Sequence, residues 1–230
     1  MPAEFERDLV PTVDRAQMQE VDRLMIETYG IQLTQMMENA GRNLADLAIE
    51  RFSPDSVQVA VGSGGNGGGG LVAARHLANR GVEVSVLPAT DNFKAVPQAQ
   101  FDIIRKMKIS IDAEVSDSAP LVIDALVGYS LDGAPRGRVS ECIRAINERG
   151  TAVLSLDSPS GLDVTTGRVH DPCVVATATM TLALPKWGLS ADVVGQLYLA
   201  DISVPATLYA DAFNLAVPNV FAEARVVRLV

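Results

Sequence analysis

The chain has 230 residues, 48% hydrophobic and 20% charged, which suits one large α/β domain with a substantial buried core. A formal charge of −9 argues against general affinity for nucleic acid or anionic membrane, and no run of about 18 uncharged apolar residues offers a membrane-spanning helix. The opening Met-Pro-Ala-Glu-Phe-Glu-Arg-Asp lacks the basic-then-apolar layout of a signal peptide, so a cytoplasmic protein is expected, and Cys142 and Cys173 lie too far apart for metal-ligand spacing.

Apolar spacing predicts a first helix from Thr12 to Ile26, with Thr12 as its N-cap, and a break at Gly30. A second helix is predicted from Thr34 to Arg51, with Met36, Met37, Ala40, Leu44, Leu47 and Ala48 on its apolar side. The pattern then alternates: strand Val57–Val61, helix Gly70–Arg80, strand Glu83–Pro88, helix Pro97–Lys108, strand Leu121–Leu126, helix Val139–Arg149 and strand Ala152–Leu156. Strands Thr177–Leu184 and Gln196–Asp201 follow. Short β-branched runs alternating with helices imply parallel strands joined by right-handed crossovers, with helices on both faces of an open sheet. Nothing in composition divides the chain, so one domain is expected, its core spanning about residues 12–205.

Ligands of such sheets bind beyond the carboxyl ends of the strands, and three predicted strand ends carry unusual residues. After Val61 comes Gly62-Ser-Gly-Gly-Asn-Gly-Gly-Gly-Gly70, in which Ser63 and Asn66 alone interrupt seven glycines. Glycine in such a position permits tight turning or close approach, and backbone N–H groups at the following helix are free to bind an anion. The segment is no Walker loop, since no Gly-Lys-Ser/Thr follows. It is also a poor dinucleotide fingerprint, since no acidic residue closes the following strand about 20 residues on, where Pro88-Ala-Thr stands. Asp124 ends the apolar run Leu121-Val-Ile-Asp, and Asp157 follows a predicted buried strand in Asp157-Ser-Pro-Ser160. Buried carboxylates are rare unless paired, hydrogen-bonded or cation-bound, so two on one rim suggest acid–base chemistry or a hard-oxygen cation site. Each also has a plain alternative as a loop cap or a turn former. Lys186 follows another strand, where it could meet an anionic group or simply be solvated.

Five segments in order together resemble the YjeF N-terminal domain family, whose enzymes are NAD(P)H-hydrate epimerases. They are Glu38-Asn-Ala-Gly41, the glycine segment with Leu71-Val-Ala-Ala-Arg-His-Leu77, Asp124-Ala-Leu-Val-Gly-Tyr-Ser130, Asp157-Ser-Pro-Ser-Gly-Leu-Asp163 and Pro185-Lys186. The resemblance implies a Rossmann-like α/β/α sandwich, often dimeric, that interconverts the R and S forms of hydrated NADH and NADPH. It implies a potassium ion held by Asn66, Asp124 and Ser160. It places the hydrate against Gly65, Asn66, Gly67, Gly68 and Gly69, against Gly128, Tyr129, Ser130, Leu131, Asp132, Gly133 and Ala134, and against Asp157, with Lys186 a further candidate. Asp157 is the expected acid–base residue. The family loop usually reads Gly-Asn-Asn-Gly-Gly-Asp-Gly, so Gly65 and Gly69 here stand for an Asn and an Asp. The alternatives are a catalytically weakened or inactive nucleotide-binding or scaffold module of the same family, and an enzyme acting on another ADP-ribose-containing nucleotide.

Overall fold

The computed structural model describes residues 2–190 and 192–230. Helices α1 (Arg15–Glu27) and α2 (Leu33–Phe52) follow a short strand β1 (Ala3–Phe5). Then come β2 (Ser56–Val61), α3 (Gly65–Asn79), β3 (Glu83–Pro88), α4 (Ala95–Lys106), β4 (Ser110–Ile111), β5 (Leu121–Ala125), α5 (Gly137–Arg149) and β6 (Ala152–Leu156). The chain finishes with β7 (Ala178–Leu182), β8 (Gln196–Ala200), α6 (Ala206–Phe213) and β9 (Val226–Leu229). Among the described residues, nine strands form one sheet in the order β1-β9-β8-β7-β6-β5-β2-β3-β4. All neighbours pair in parallel except β8 with β9. None of the helices among these residues is long and apolar enough to cross a membrane.

Alternation along the central strands separates the two faces, because successive side chains point to opposite sides. Val57, Val59, Val61, Leu121 and Ile123 face a layer built from α2, α3 and α4, where Leu44, Leu71, Leu77 and Ile104 are buried. Ala60, Val122 and Val153 face α5, meeting Cys142, Ile143 and Ile146. At the other end of the sheet Leu197, Leu199, Val227 and Leu229 join Val13, Met18 and Met25 beside α1 and Leu208 and Tyr209 of α6. Cys142 is thus a core residue, as its place in an apolar helical stripe suggests.

Two boundaries differ instructively from the sequence expectation. The first helix is capped by Asp14, not Thr12: its carboxylate accepts from Gln17 N, and the Gln17 side chain accepts from Asp14 N in a reciprocal capping box. The third helix starts at Gly65 rather than Gly70, so most of the glycine run is helix. Packing explains it. A Cβ on Gly67 would lie 1.9 Å from the Gly62 carbonyl oxygen, and one on Gly70 would lie 2.5 Å from Ala125 Cβ on β5. One on Gly41 of α2 would meet Val72 at 2.5 Å and the Gly69 carbonyl at 2.6 Å. These glycines let α3 press against β5 and α2. The elements that sequence did not signal, β1, β4, α6 and β9, are short and lie towards the ends of the chain or at a sheet edge.

Candidate active site

The strand order reverses between β2 and β5, whose loops therefore diverge and open a crevice at their carboxyl ends. A cavity of about 390 Å³ sits there, within the range of small-ligand pockets. One wall is apolar, with Met18 of α1, Met36, Met37 and Ala40 of α2, and Leu156 and Ile202. The rest of the lining includes Gly65, Asn66 and Gly69 of α3, Gly128, Tyr129 and Ser130 after β5, and Asp157 after β6, with Lys94 beside the α4 N-terminus.

Of the residues expected from sequence, Gly65, Asn66, Gly69, Gly128, Tyr129, Ser130 and Asp157 line this cavity. Gly67 and Gly68 are buried behind the helix face, where a Cβ on Gly68 would meet the Met37 sulfur at 2.7 Å. Leu131, Asp132, Gly133 and Ala134 do not line it, and Asp132 and Gly133 are exposed. The space of the family's usual Asp at position 69 is apolar here: a Cβ there would come 2.8 Å from Leu156 Cδ2.

Asp157 is 3% exposed and sits at φ +68°, a left-handed conformation that Asp tolerates better than most residues. Its Oδ2 accepts from Tyr129 N at 2.8 Å, and its Oδ1 accepts from Lys186 Nζ at 2.5 Å. Gly128 has no room for a side chain, because a Cβ would lie 2.8 Å from Asp157 Oδ2 and 3.0 Å from Asn66 Oδ1. Lys186 is fully buried, contrary to a solvated lysine, and lies behind Asp157 rather than on the cavity wall. Its other two protons go to Thr181 Oγ1 at 3.0 Å and the Leu182 carbonyl at 2.9 Å. The lysine thus neutralises a buried carboxylate instead of meeting an outside anion.

Asp124 is fully buried on β5. Burial drives its carboxyl above the usual range, opposed by hydrogen bonds from Ser160 Oγ and N, Ser155 Oγ and Leu126 N. Among the described residues no basic side chain pairs with it. Asn66 on the cavity wall has a buried amide end, Nδ2, without a hydrogen-bond partner among the described residues; rotated by half a turn, that end presents an oxygen. A buried carboxylate, a serine hydroxyl and an amide oxygen are hard-oxygen donors, the chemistry that suits a hard cation. No group of three or more His, Cys, Asp or Glu that could hold a metal ion occurs among the described residues.

Asp22 of α1 also lines the cavity, and the sequence reading missed it. Its carboxylate accepts a hydrogen bond from the Tyr129 hydroxyl. A signal was present: Asp22 interrupts the stripe of buried Met18, Val21 and Met25, where a carboxylate without a purpose is costly. The Glu38 segment explains itself differently. Glu38 binds Arg75 and His76 of α3, the latter at 2.7 Å, so two of the sequence segments are facing halves of one helix–helix contact.

Known proteins resemble this chain in fold and in sequence. A crystal structure of yeast ynu0 superposes with a TM-score of 0.85 over 96% of this chain and all of that one, at 21% identity, which establishes the fold. An NAD(P)H-hydrate epimerase of Dehalogenimonas lykanthroporepellens is 42% identical over 203 residues, covering 85% of this chain and 83% of that protein. One from Truepera radiovictrix is 38% identical over 204 residues, 85% of this chain and 91% of that protein. The bifunctional NAD(P)H-hydrate repair enzyme Nnr of Moorella thermoacetica is 37% identical over 220 residues, of which this chain spans only 41% of the relative's length. The family model for the YjeF-related protein N-terminus matches residues 33–188, which include the glycine helix, both buried aspartates and Lys186. With the sheet, the cavity and these segments in agreement, the chain belongs to the YjeF-related N-terminus family.

Proposed function

We infer that the protein is an NAD(P)H-hydrate epimerase, interconverting the R and S forms of hydrated NADH and NADPH as a step of nicotinamide nucleotide repair. The observation that carries this is Asp157, a carboxylate at the floor of a switch-point cavity, held by Lys186 on one oxygen and Tyr129 N on the other. Relatives matched over most of their own length bear that name. Epimerisation requires the hydroxyl to leave the ring carbon beside the ring nitrogen and to return on the opposite face. Leaving needs a proton on the departing oxygen, and return needs a base for the attacking water. Asp157, fixed by two donors, is positioned to exchange that proton, while the apolar wall of Met18, Met36, Met37 and Leu156 limits competing water.

The first turn of α3 offers free backbone N–H groups for the phosphates of the nucleotide, since Gly64 caps the helix without a side-chain acceptor. Asn66, Asp124 and Ser160 would hold a potassium ion. When bound it would supply positive charge that fixes this rim and orients the loops after β5 and β6.

The test starts from one purified epimer of NADH hydrate and an S-specific dehydratase, in potassium and in choline buffers. The expected result is epimerisation well above the spontaneous rate, faster in potassium. Asp157→Asn, which keeps a side chain suited to φ +68°, should lose about 10²- to 10⁴-fold in kcat. A wild-type rate equal to the spontaneous one overturns the assignment.

A further inference from the structure

Asp22 and Asp157 are the two acidic side chains on the cavity wall among the described residues. They come from different parts of the fold, α1 and the turn after β6, and one residue connects them. Tyr129 donates its backbone N–H to Asp157 and its phenol hydroxyl to Asp22, so the two carboxyls sit at the two ends of one tyrosine, both on the wall of the same cavity. Each retains oxygen lone pairs not used by these bonds.

Inversion at a ring carbon poses a geometric problem for a single acid–base group. The hydroxyl leaves from one face and water attacks the other, so one carboxyl serves both only if the ring turns over in the site. Building on the epimerase assignment, we propose that the reaction runs between two carboxyls, Asp157 and Asp22, one for each face of the hydroxyl-bearing carbon. From one epimer, Asp22 gives its proton to the departing hydroxyl. The carbon–oxygen bond breaks with its electron pair on oxygen, water forms, and the ring-nitrogen lone pair makes a carbon–nitrogen double bond. Water then adds on the opposite face, the new carbon–oxygen bond returns the electron pair to nitrogen, and the surplus proton passes to Asp157. The opposite epimer uses the two groups in reverse. One proton and one water are exchanged, and no oxidant or reductant is needed.

The surroundings of Asp22 suit it to hold that proton. Burial raises its carboxyl above the usual range; the Tyr129 hydrogen bond opposes this, the Asp157 charge adds to it, and Lys186 opposes it. Tyr209 of α6 also feels the Asp22 charge, and Arg15 lies near Tyr129. The epimerisation rate should therefore fall as pH rises and Asp22 loses its transferable proton.

The test measures epimerisation and incorporation of oxygen-18 from labelled water into the ring hydroxyl, with spontaneous rates subtracted. Asp22→Asn keeps an acceptor for Tyr129 and nearly the same shape. It should lose about 10²-fold or more in epimerisation kcat, while exchange into one epimer, now without inversion, stays within about tenfold of wild type. Epimerisation within threefold of wild type overturns the proposal, as does loss of exchange in step with epimerisation. Tyr129→Phe keeps the N–H to Asp157 and removes the phenol, so the high-pH fall in rate should move to higher pH; an unmoved fall also overturns it. A wild-type protein that neither epimerises nor exchanges refutes the epimerase assignment instead, so the two failures are distinct.

Discussion

At the scale of single residues, the site is governed by what burial demands of charge. Asp157 and Lys186 are buried together, and neither is stable there alone, because an uncompensated charge in the interior costs several kcal/mol. Lys186→Met is expected to destabilise the fold by about 3–5 kcal/mol, leaving Asp157 unpaired. The double variant Lys186→Met with Asp157→Asn should recover much of that loss, and denaturant titration of the two variants checks it. Equal stability of single and double variants would show that the ion pair contributes only packing. Asp157 was legible in the sequence because a strand end followed by Ser-Pro-Ser is a recognisable rim position. The burial of Lys186 was not, since its partners Asp157, Thr181 and Leu182 come from two other places in the fold. Asp22 was missed for a related reason: its purpose depends on Tyr129, more than 100 residues away.

At the scale of elements, the glycine run serves two purposes. Gly67, Gly68 and Gly70, with Gly41 across the contact, admit neighbouring backbone and side chains; Gly65 lines the cavity, and a Cβ there would come no nearer than 4.0 Å to Met37 Cε. The two groups predict opposite outcomes. Gly67→Ala drives a Cβ into the Gly62 carbonyl and should cost about 3 kcal/mol or more, lowering Tm by roughly 6–12 °C. Gly65→Ala, in the first turn of α3 with open space, should raise stability by about 0.4–1 kcal/mol. Thermal unfolding of both reads the difference, and a matching loss from each would deny this division. A second element-level contact is the Glu38 clamp between α2 and α3. Burial pushes the Glu38 carboxyl up, but the His76 hydrogen bond and the Arg75 charge outweigh it and hold it below the usual range. A lowered carboxyl contributes stability above its unfolded pKa and loses it as pH falls through its folded one. Glu38→Gln should therefore cost about 0.5 kcal/mol at neutral pH, discounted for its exposure, and nothing in acid once Glu38 is protonated. Unfolding midpoints at the two pH values decide this.

At the scale of the whole molecule, the sheet extends beyond the family-matched segment at both ends. The β9 strand lays Val227 and Leu229 over Leu197 and Leu199 and is itself covered at its edge by β1, pairing Ala3–Phe5 with Val227–Leu229. Deleting residues 225–230 removes two buried aliphatic side chains and should cost about 3–6 kcal/mol at 1.5–3 kcal/mol each. Deleting residues 2–5, which are exposed or half-buried, should cost clearly less. The reverse order in denaturant titration would mean that β1, not β9, closes this end of the core.

The sequence by itself determined the alternating α/β order, the parallel sheet, the rim on which the glycine segment, Asp124 and Asp157 meet, and the resemblance that led to the family. Those features are local: strand and helix periods, turn residues and short motifs are written in neighbouring positions. Tertiary structure alone decided that most of the glycine run is packed helix, that Lys186 is buried against Asp157, that Asp22 shares the cavity, and that the two chain ends pair in one sheet. Each of these is a contact between distant segments. Its energy comes from close packing or from charge taken out of water, and neither has a signature at a single position in the chain.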